Sequence, residues 1–319
     1  MKQFDVFNGD ADGICALHQM RLAHPAETEL VTGVKRNIAL VKNVDACEGD
    51  EVLVLDISLA KNIDAVNGLL VRGCRVQYFD HHLPGEIPEH PLLSAVIDTS
   101  ADTCTSLLVN DYLNQQYVLW AIVAAYGDNM MDSAERLADQ NGLSQAQKSQ
   151  LKELGIYINY NGYGAALSDL HFEPDQLYLA LKPYADPFDF INNEKTFEIL
   201  KMGYQQDMRN AESLQPDIST SKTAVFIMPA EKWCSRVSGV LGNDLSNKYP
   251  DRAHALLTTI DGGYQVSVRA PQNNKAGAGD LCSQFDSGGG REGAAGINYL
   301  QNSDMQRFID IFIHQYSQS

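Results

Sequence analysis

No run of about eighteen apolar residues occurs in the chain, so no membrane-spanning helix is expected. A signal peptide is not expected either, because Asp5, Asp10 and Asp12 break up the first residues. Closely paired cysteines are missing. Cys15, Cys47, Cys74, Cys104, Cys234 and Cys282 contain no C-x-x-C, which suits a reducing cytoplasm and a packing role for each thiol. Positive charge is also scarce, with 24 Lys and Arg against 41 Asp and Glu and a net charge of −17. That shortage argues against a broad basic face that coats long nucleic acid. It does not exclude a small anionic substrate, since bound divalent ions and a few arginines reverse a local field. Internal repeats and low-complexity tracts are absent as well.

What is present is a globular composition, 44% hydrophobic and 20% charged, over 319 residues, enough for two ordinary domains. The acidity is concentrated in the first 214 residues, which carry −16, while residues 215–319 carry −1.

The run Val76-Gln77-Tyr78-Phe79-Asp80-His81-His82 is the most informative stretch. A β-leaning apolar segment ends at Phe79, an acid and two imidazoles follow, and Pro84-Gly85 stops any continuation. Two other segments end the same way. Gln3 to Phe7 predicts a strand, followed by Asn8-Gly9-Asp10-Ala11-Asp12-Gly13 and a helix from Ile14. Asp12 alone would serve as a helix cap. Asp10 and Asp12 together exceed that need, and an extended turn would point both carboxylates the same way. Glu51 to Leu55 predicts another strand, closed by Asp56, ahead of a helix over 59–71. A further strand is expected over 28–34. Helical crossovers between these strands imply βαβ units and a mainly parallel sheet. In such sheets ligands lie beyond the carboxyl ends of the strands.

After a strand over 94–97, helices are expected over 103–113 and 119–126, then Gly127-Asp128-Asn129 interrupts the pattern. Asp128 there reads equally as a cap or as a ligand. His171, Tyr157, Tyr160 and Tyr163 read as packing or surface residues. A polar helical stretch over 193–214 leads to Gln215-Pro216-Asp217, where the linker is placed. Beyond it, strands over 224–228 and 253–259, a helix over 237–245 and the hairpin Asp261-Gly262-Gly263 describe a second, smaller α/β domain. The expected fold class is therefore α/β, with an N-terminal mainly parallel domain over 1–192, a helical linker over 193–222 and a C-terminal domain over 223–319.

Gathering the strand-end residues gives Asp10, Asp12, Asp56, His81, His82 and, with them, Asp128. Four carboxylates converging without cations would repel one another. Divalent metal ions remove that cost, and mixed Asp/His ligation with a bridging acid suits two ions ~3.5–4 Å apart. An oxygen-rich donor set favours Mn²⁺ or Mg²⁺. In the second domain, Gly288 to Gly296 is nearly devoid of side chains except Arg291 and Glu292. Such a loop brings backbone N–H groups close to a phosphate, and Arg291 with Arg269 can add bidentate contacts.

The Asn8-to-Gly13 segment, Asp56, Asp80-His81-His82 and Gly127-Asp128 resemble the four motifs of the DHH phosphoesterases. Gly288 to Gly296 resembles the GGGHxxAAG motif of the DHH-associated nucleotide-binding domain, preceded by the Arg269 strand. The resemblance covers nearly the whole chain. It implies a Mn²⁺-dependent hydrolase with two ions and its site in the cleft between the domains. Asp10 and Asp56 would hold one ion; Asp12, Asp56, His81 and Asp128 would hold the other. His82 would face the scissile phosphate, Asp80 would orient the histidines, and Arg269, Gly289, Gly290 and Arg291 would bind substrate. Two positions depart from the pattern. Asn8 stands where many members carry His and offers a weaker ligand. Arg291 replaces the His of GGGH and cannot act as an acid or base near neutral pH.

Within that resemblance the chain is expected to hydrolyse short 5′-phosphorylated dinucleotides such as pGpG to mononucleotides, tying it to cyclic-di-GMP turnover. Alternatives are a phosphatase of phosphoadenosine phosphate, a single-strand exonuclease and a non-catalytic nucleotide-binding protein. Long nucleic acid and membranes are not expected as partners, and a homodimer stays open. Tyr126, Trp233 and Phe285 are further candidates for stacking on a base.

Overall fold

The structure is a computed structural model that describes residues 1–317. It divides into two α/β units, one ending at Met202 and one beginning at Gly203.

The first unit opens with β1 (Gln3–Phe7), α1 (Ala11–Ala23), β2 (Glu29–Val31), β3 (Glu51–Leu55), α2 (Leu59–Val71), β4 (Arg75–Asp80) and β5 (Leu93–Ile97). All pairings in this five-stranded sheet are parallel, in the order β2-β1-β3-β4-β5. Val52, Val54 and Leu55 of β3 and Val76, Tyr78 and Phe79 of β4 are buried, as strands covered on both faces require. Asp5 is the polar exception in β1. It is neutralised by Arg21, whose Nε donates to it at 2.9 Å, and it also accepts the Thr28 hydroxyl at 2.7 Å. The strand order reverses between β1 and β3. In open α/β sheets that switch point is where a crevice forms.

The helices α3 (Thr105–Tyr112), α4 (Val118–Gly127), α5 (Met131–Gln140), α6 (Gln145–Gly162), α7 (Pro174–Leu181) and α8 (Pro187–Asn193) follow. Helix α4 reads Val-Leu-Trp-Ala-Ile-Val-Ala-Ala-Tyr-Gly and is buried from Trp120 onward, as an all-round apolar helix must be. Its last turn approaches two neighbours closely. A Cβ on Gly127 would stand 2.5 Å from Ala11 Cβ and 2.7 Å from Gly155 O, and one on Gly155 would stand 2.1 Å from Val123 O. The missing side chains let α1, α4 and α6 meet where Asp128 leaves α4. Helix α9 (Lys195–Glu212) contains the division between the units.

The second unit contains β6 (Ile218–Ser219), β7 (Thr223–Met228), α10 (Lys232–Lys248), β8 (Ala253–Ile260), β9 (Gly263–Arg269), α11 (Ala278–Cys282), β10 (Gly288–Gly290), β11 (Ala294–Gln301) and α12 (Met305–Ser317). Its six-stranded sheet runs β10-β11-β9-β8-β7-β6, and only β7 and β8 are parallel. Phe285, Phe308 and Phe312 pack with Val225, Leu257, Val266 and Ile297 in its core. No helix among the described residues is long and apolar enough to cross a membrane.

Several local expectations shift. The strand expected over 28–34 is confined to Glu29–Val31. The cap of α1 is Asp10, in extended conformation, while Asp12 lies within the first helical turn, so the two acids do not share one extended segment. The glycine-rich segment is not a free loop. Gly288–Gly290 forms the edge strand β10, antiparallel to β11, with residues 291–293 as its turn.

Candidate active site

Asp10 uses Oδ1 to accept the backbone N–H groups of Asp12 at 3.0 Å and Gly13 at 3.1 Å, an ordinary N-cap. Its Oδ2 is free of capping duty and lies 2.5 Å from Lys35 Nζ. Asp12 is fixed by the N-terminus of a second helix. The backbone N–H groups of Thr105 and Ser106, at the start of α3, donate to its two oxygens at 2.8 and 2.7 Å. An anion at a helix N-terminus is favourable, and each oxygen keeps a lone pair for another partner.

Asp56 follows β3 with φ of 58°, a left-handed conformation that Asp tolerates better than most residues. It is buried, and Thr105 Oγ1 donates to its Oδ1 at 3.3 Å. Burial pushes the Asp56 carboxyl well above the usual carboxylate range, and Asp12, Asp10 and Asp128 push it further; Lys35 offsets part of this.

Asp80 ends β4 and is fully buried. Its Oδ1 accepts the backbone N–H groups of His81 at 2.9 Å and His82 at 3.2 Å and lies 2.7 Å from His82 Nδ1. Its Oδ2 accepts Leu59 N at 3.3 Å. Asp80 thus orients the His82 ring and the backbone of both histidines. The His81 ring is held instead by the Thr103 carbonyl, 3.1 Å from Nδ1. That leaves His81 Nε2 facing Asp56 Oδ1 at 3.4 Å and Asp12 Oδ2 at 3.8 Å.

Ligand atoms of Asp56, His81 and His82 all lie within 4.8 Å of one another, a spacing that can close on one metal ion. The donor set, carboxylate and imidazole without thiolate, suits Mn²⁺ or Mg²⁺. Asn8 is buried after β1, and its Oδ1 has no hydrogen-bond partner among the described residues, so a cationic neighbour would suit it. Asp128 caps α4 and lies 3.5 Å from Lys35 Nζ.

Lys35 was not foreseen as a site residue. It lies among Asp10, Asp128 and Asn159, whose Oδ1 accepts from Nζ at 3.2 Å, with the Tyr163 ring centroid 5.2 Å away. Burial works against its charge, but Asp10, Tyr163 and Asp128 outweigh burial and hold the ammonium pKa well above its ordinary value. Tyr163, read from sequence as packing or surface, therefore stands at the edge of this cluster.

In the second unit, Arg269 has five N–H donors in principle. Its Nε donates to Asn243 Oδ1 at 2.8 Å, Nη1 to Ser267 Oγ and Val268 O at 3.1 Å, and Nη2 to Gly239 O at 3.4 Å. A bidentate grip on phosphate would require some of these bonds to break. Gly290 has φ of 146°, and a Cβ there would stand 2.5 Å from Ala295 Cα. A Cβ on Gly289 would meet nothing within 4 Å, so packing does not explain that glycine. Arg291 follows at the exposed turn. Of the aromatic candidates, Tyr126 and Phe285 are buried core residues, and Trp233 Nε1 donates to Glu231 at 2.7 Å.

No protein-family model matches the chain, and no curated protein matches it by sequence. Solved structures match its fold over the full length. RecJ from Thermus thermophilus with Mn²⁺ is 17% identical with a TM-score of 0.65; the match covers 100% of this chain and 52% of RecJ, about half its length. An exonuclease RecJ bound to manganese is 16% identical with a TM-score of 0.61, covering 100% of this chain and 91% of that one. The pGpG-specific phosphodiesterase PggH from Vibrio cholerae is 12% identical with a TM-score of 0.55, covering 100% and 99%. At these identities the likeness shows the fold alone.

Proposed function

We propose that the chain is a metal-dependent phosphodiesterase that hydrolyses single-stranded nucleotide chains. One observation carries the reading: residues following β1, β3 and β4 converge, with Asp56 Oδ1 3.4 Å and Asp12 Oδ2 3.8 Å from His81 Nε2, beside the switch point of the sheet. Asp12, Asp56 and His81 would hold the metal, with Asp10 and Asp128 completing the carboxylate surroundings. A bound divalent ion would lower the pKa of a coordinated water and polarise phosphoryl oxygens.

The protein's own groups supply the rest. Asp56, set in its left-handed turn and fixed by the Thr105 hydroxyl, presents its carboxylate toward His81 Nε2. His82, oriented by Asp80 through Nδ1, offers Nε2 to the phosphate or to the leaving oxygen, where it can pass a proton. Gly289, Gly290, Arg291 and Arg269 are the proposed phosphate-binding residues of the second unit.

Substrate length divides two readings. A short 5′-phosphorylated dinucleotide such as pGpG, with its link to cyclic-di-GMP turnover, is supported by the net charge of −17 and by the near end-to-end match with PggH. A single-strand exonuclease is supported by the higher TM-scores of the two RecJ structures. Purified protein with Mn²⁺ and a panel of 5′-phosphorylated dinucleotides, a 20-mer single strand, phosphoadenosine phosphate and pyrophosphate separates them. Hydrolysis of dinucleotides well ahead of the 20-mer supports the first reading. Equal or faster degradation of the 20-mer supports the second. Release of inorganic phosphate alone, or no turnover, would sink both.

A further inference from the structure

The carboxylates at the sheet edge are not equivalent. Asp10 and Asp128 are paired with the ammonium of Lys35, at 2.5 and 3.5 Å. Asp12 and Asp56 face His81 Nε2 instead, and no lysine or arginine pairs with either among the described residues. The cluster thus has one half that already contains a cation and one half that lacks one.

Lys35 is held there at both ends of the residue. Its backbone N–H donates to Gly162 O at 2.8 Å, and its carbonyl accepts the Asn8 side-chain amide at 3.3 Å. Nζ then donates to Asn159 Oδ1 at 3.2 Å and lies 5.2 Å from the centroid of the Tyr163 ring. The ammonium itself meets Asp10, Asp128, Asn159 and the Tyr163 ring, which come from the start of α1, the end of α4 and α6, whereas a surface lysine is seldom fixed at all.

A metal ion on Asp10 Oδ2 would need a bond of ~2.1 Å to an oxygen that already has the ammonium 2.5 Å away. Two positive centres on one buried oxygen, no more than ~4.6 Å apart, would repel with little water between them. Asn8 cannot restore the balance. One of its two amide hydrogens goes to the Lys35 carbonyl, and its carbonyl oxygen, though without a hydrogen-bond partner, is a weak neutral ligand that brings no negative charge. Four carboxylates with one ammonium still leave a negative excess, which one divalent ion on the Asp12–Asp56–His81 side reduces.

We propose that Lys35 is a built-in cation: its ammonium takes the place of one metal ion, so the chain binds a single divalent ion at Asp12, Asp56 and His81. The proposal rests on the metal-dependent reading above and sets the number of ions.

The test counts metal rather than turnover. Metal-stripped full-length protein is equilibrated with excess Mn²⁺, dialysed and analysed for Mn per chain, and its electron paramagnetic resonance spectrum is recorded. Wild type should hold one ion per chain with the spectrum of isolated Mn²⁺. Lys35→Met should hold two, with the spectrum of a spin-coupled pair, and Lys35→Arg should hold one. Lys35→Ala provides a second neutral variant if Lys35→Met melts early by circular dichroism. Two ions in wild type would overturn the proposal, with no need of a variant. One ion in wild type and still one in the folded neutral variants would also overturn it, because Lys35 would not be what excludes the second. No ion in wild type would instead defeat the metalloenzyme reading on which the proposal stands.

Discussion

His82 Nδ1 lies 2.7 Å from Asp80 Oδ1, and that same oxygen accepts the backbone N–H groups of both His81 and His82. One buried carboxylate therefore sets a ring and the turn that carries it. Asp80→Asn keeps an acceptor but withdraws the charge that favours a proton on Nδ1 and leaves Nε2 as the acceptor. Activity should fall ~10–100-fold, the usual cost of losing a partner that orients an imidazole, with a modest change in Tm. Asp80→Ala also strips partners from three backbone amides, two of them buried, at roughly 1–3 kcal/mol for each buried one left unsatisfied, so its thermal unfolding should be clearly lower. Steady-state rates together with melting curves for the pair separate the two effects. Equal loss of activity and of Tm in both variants would show that Asp80 acts on folding alone.

Asp56 combines positive φ, burial and repulsion from Asp10, Asp12 and Asp128. In the absence of metal its ionised form is unfavourable. Asp56→Asn removes the repelled charge and retains a residue that tolerates the left-handed turn. With chelator present, its Tm should exceed that of wild type, while the Tm rise that Mn²⁺ gives wild type should disappear. Asp56→Ala should be less stable than Asp56→Asn by ~1–2 kcal/mol, the cost of that backbone conformation for an ordinary residue. Melting curves in chelator and in Mn²⁺ read all three. A wild-type Tm that Mn²⁺ leaves unmoved would remove Asp56 from the metal site.

The strand-end acids were legible because each follows an apolar run. Val52-Leu53-Val54-Leu55 before Asp56 and Tyr78-Phe79 before Asp80 pair pattern with polarity over a few adjacent residues. Lys35 was not legible. It follows a strand of only three residues, carries no periodic signal, and finds Asn159 and Asp128 far along the chain. A lysine also reads as surface by default, and only the packing of α6 against the Asn8 turn brings this partly exposed one onto the carboxylates. The cap was misplaced for a similar reason: Asp10 and Asp12 are equally good capping residues, and only backbone conformation distinguishes them. The glycine segment reads as a loop by composition, but three of its residues pair with β11, which no side-chain pattern could announce.

The approach of α4 to α1 and α6 should be intolerant of a single methyl group. Gly127→Ala places a carbon 2.5 Å from Ala11 Cβ and 2.7 Å from Gly155 O, distances that force backbone to move. Overpacking of this kind costs ~1–3 kcal/mol, and here the displaced segments carry Asp10 and Asp128. Gly68→Ala, whose Cβ would meet nothing within 4 Å in α2, is the control and should be neutral or slightly stabilising. Urea unfolding of both variants checks the contrast. A Gly127→Ala midpoint equal to that of wild type would mean that the helices separate without cost.

Acid should destabilise each unit through one buried histidine. Burial lowers the His18 pKa to about 4, and the Tyr184 carbonyl 2.8 Å from Nε2 only partly offsets this. His254 is lowered to about 4 by burial and by Arg252, whose Nε donates to its Nε2 at 3.1 Å. Unfolded histidine binds its proton near ~6.5. Between ~6.5 and 4 the unfolded chain therefore holds more protons, so stability is complete above ~6.5 and is lost as pH falls toward 4. Each site contributes on the order of 3 kcal/mol to that slope, at ~1.4 kcal/mol per pKa unit. His18→Gln and His254→Gln should flatten the fall in Tm over this range, each by its own share. An unchanged pH profile in both variants would mean that other groups drive the acid transition.

Gly289 and Gly290 are neighbours in β10 with opposite requirements. Gly290 has φ of 146° and no room for a Cβ, which would stand 2.5 Å from Ala295 Cα. Gly290→Ala should therefore lower stability by ~1–3 kcal/mol through strain and overpacking. Gly289 has open space where its Cβ would be, and an alanine there should leave the unfolding free energy within about 0.5 kcal/mol of wild type, as for an unconstrained surface site. If the bare backbone at Gly289 lets a phosphate approach, Gly289→Ala should raise KM for the nucleotide substrate with little change in kcat, because a binding contact is blocked while the metal-binding residues are untouched. A bulkier Gly289→Val should raise it further. Unchanged KM in both variants would place the nucleotide elsewhere and leave Gly289 as an ordinary edge-strand residue.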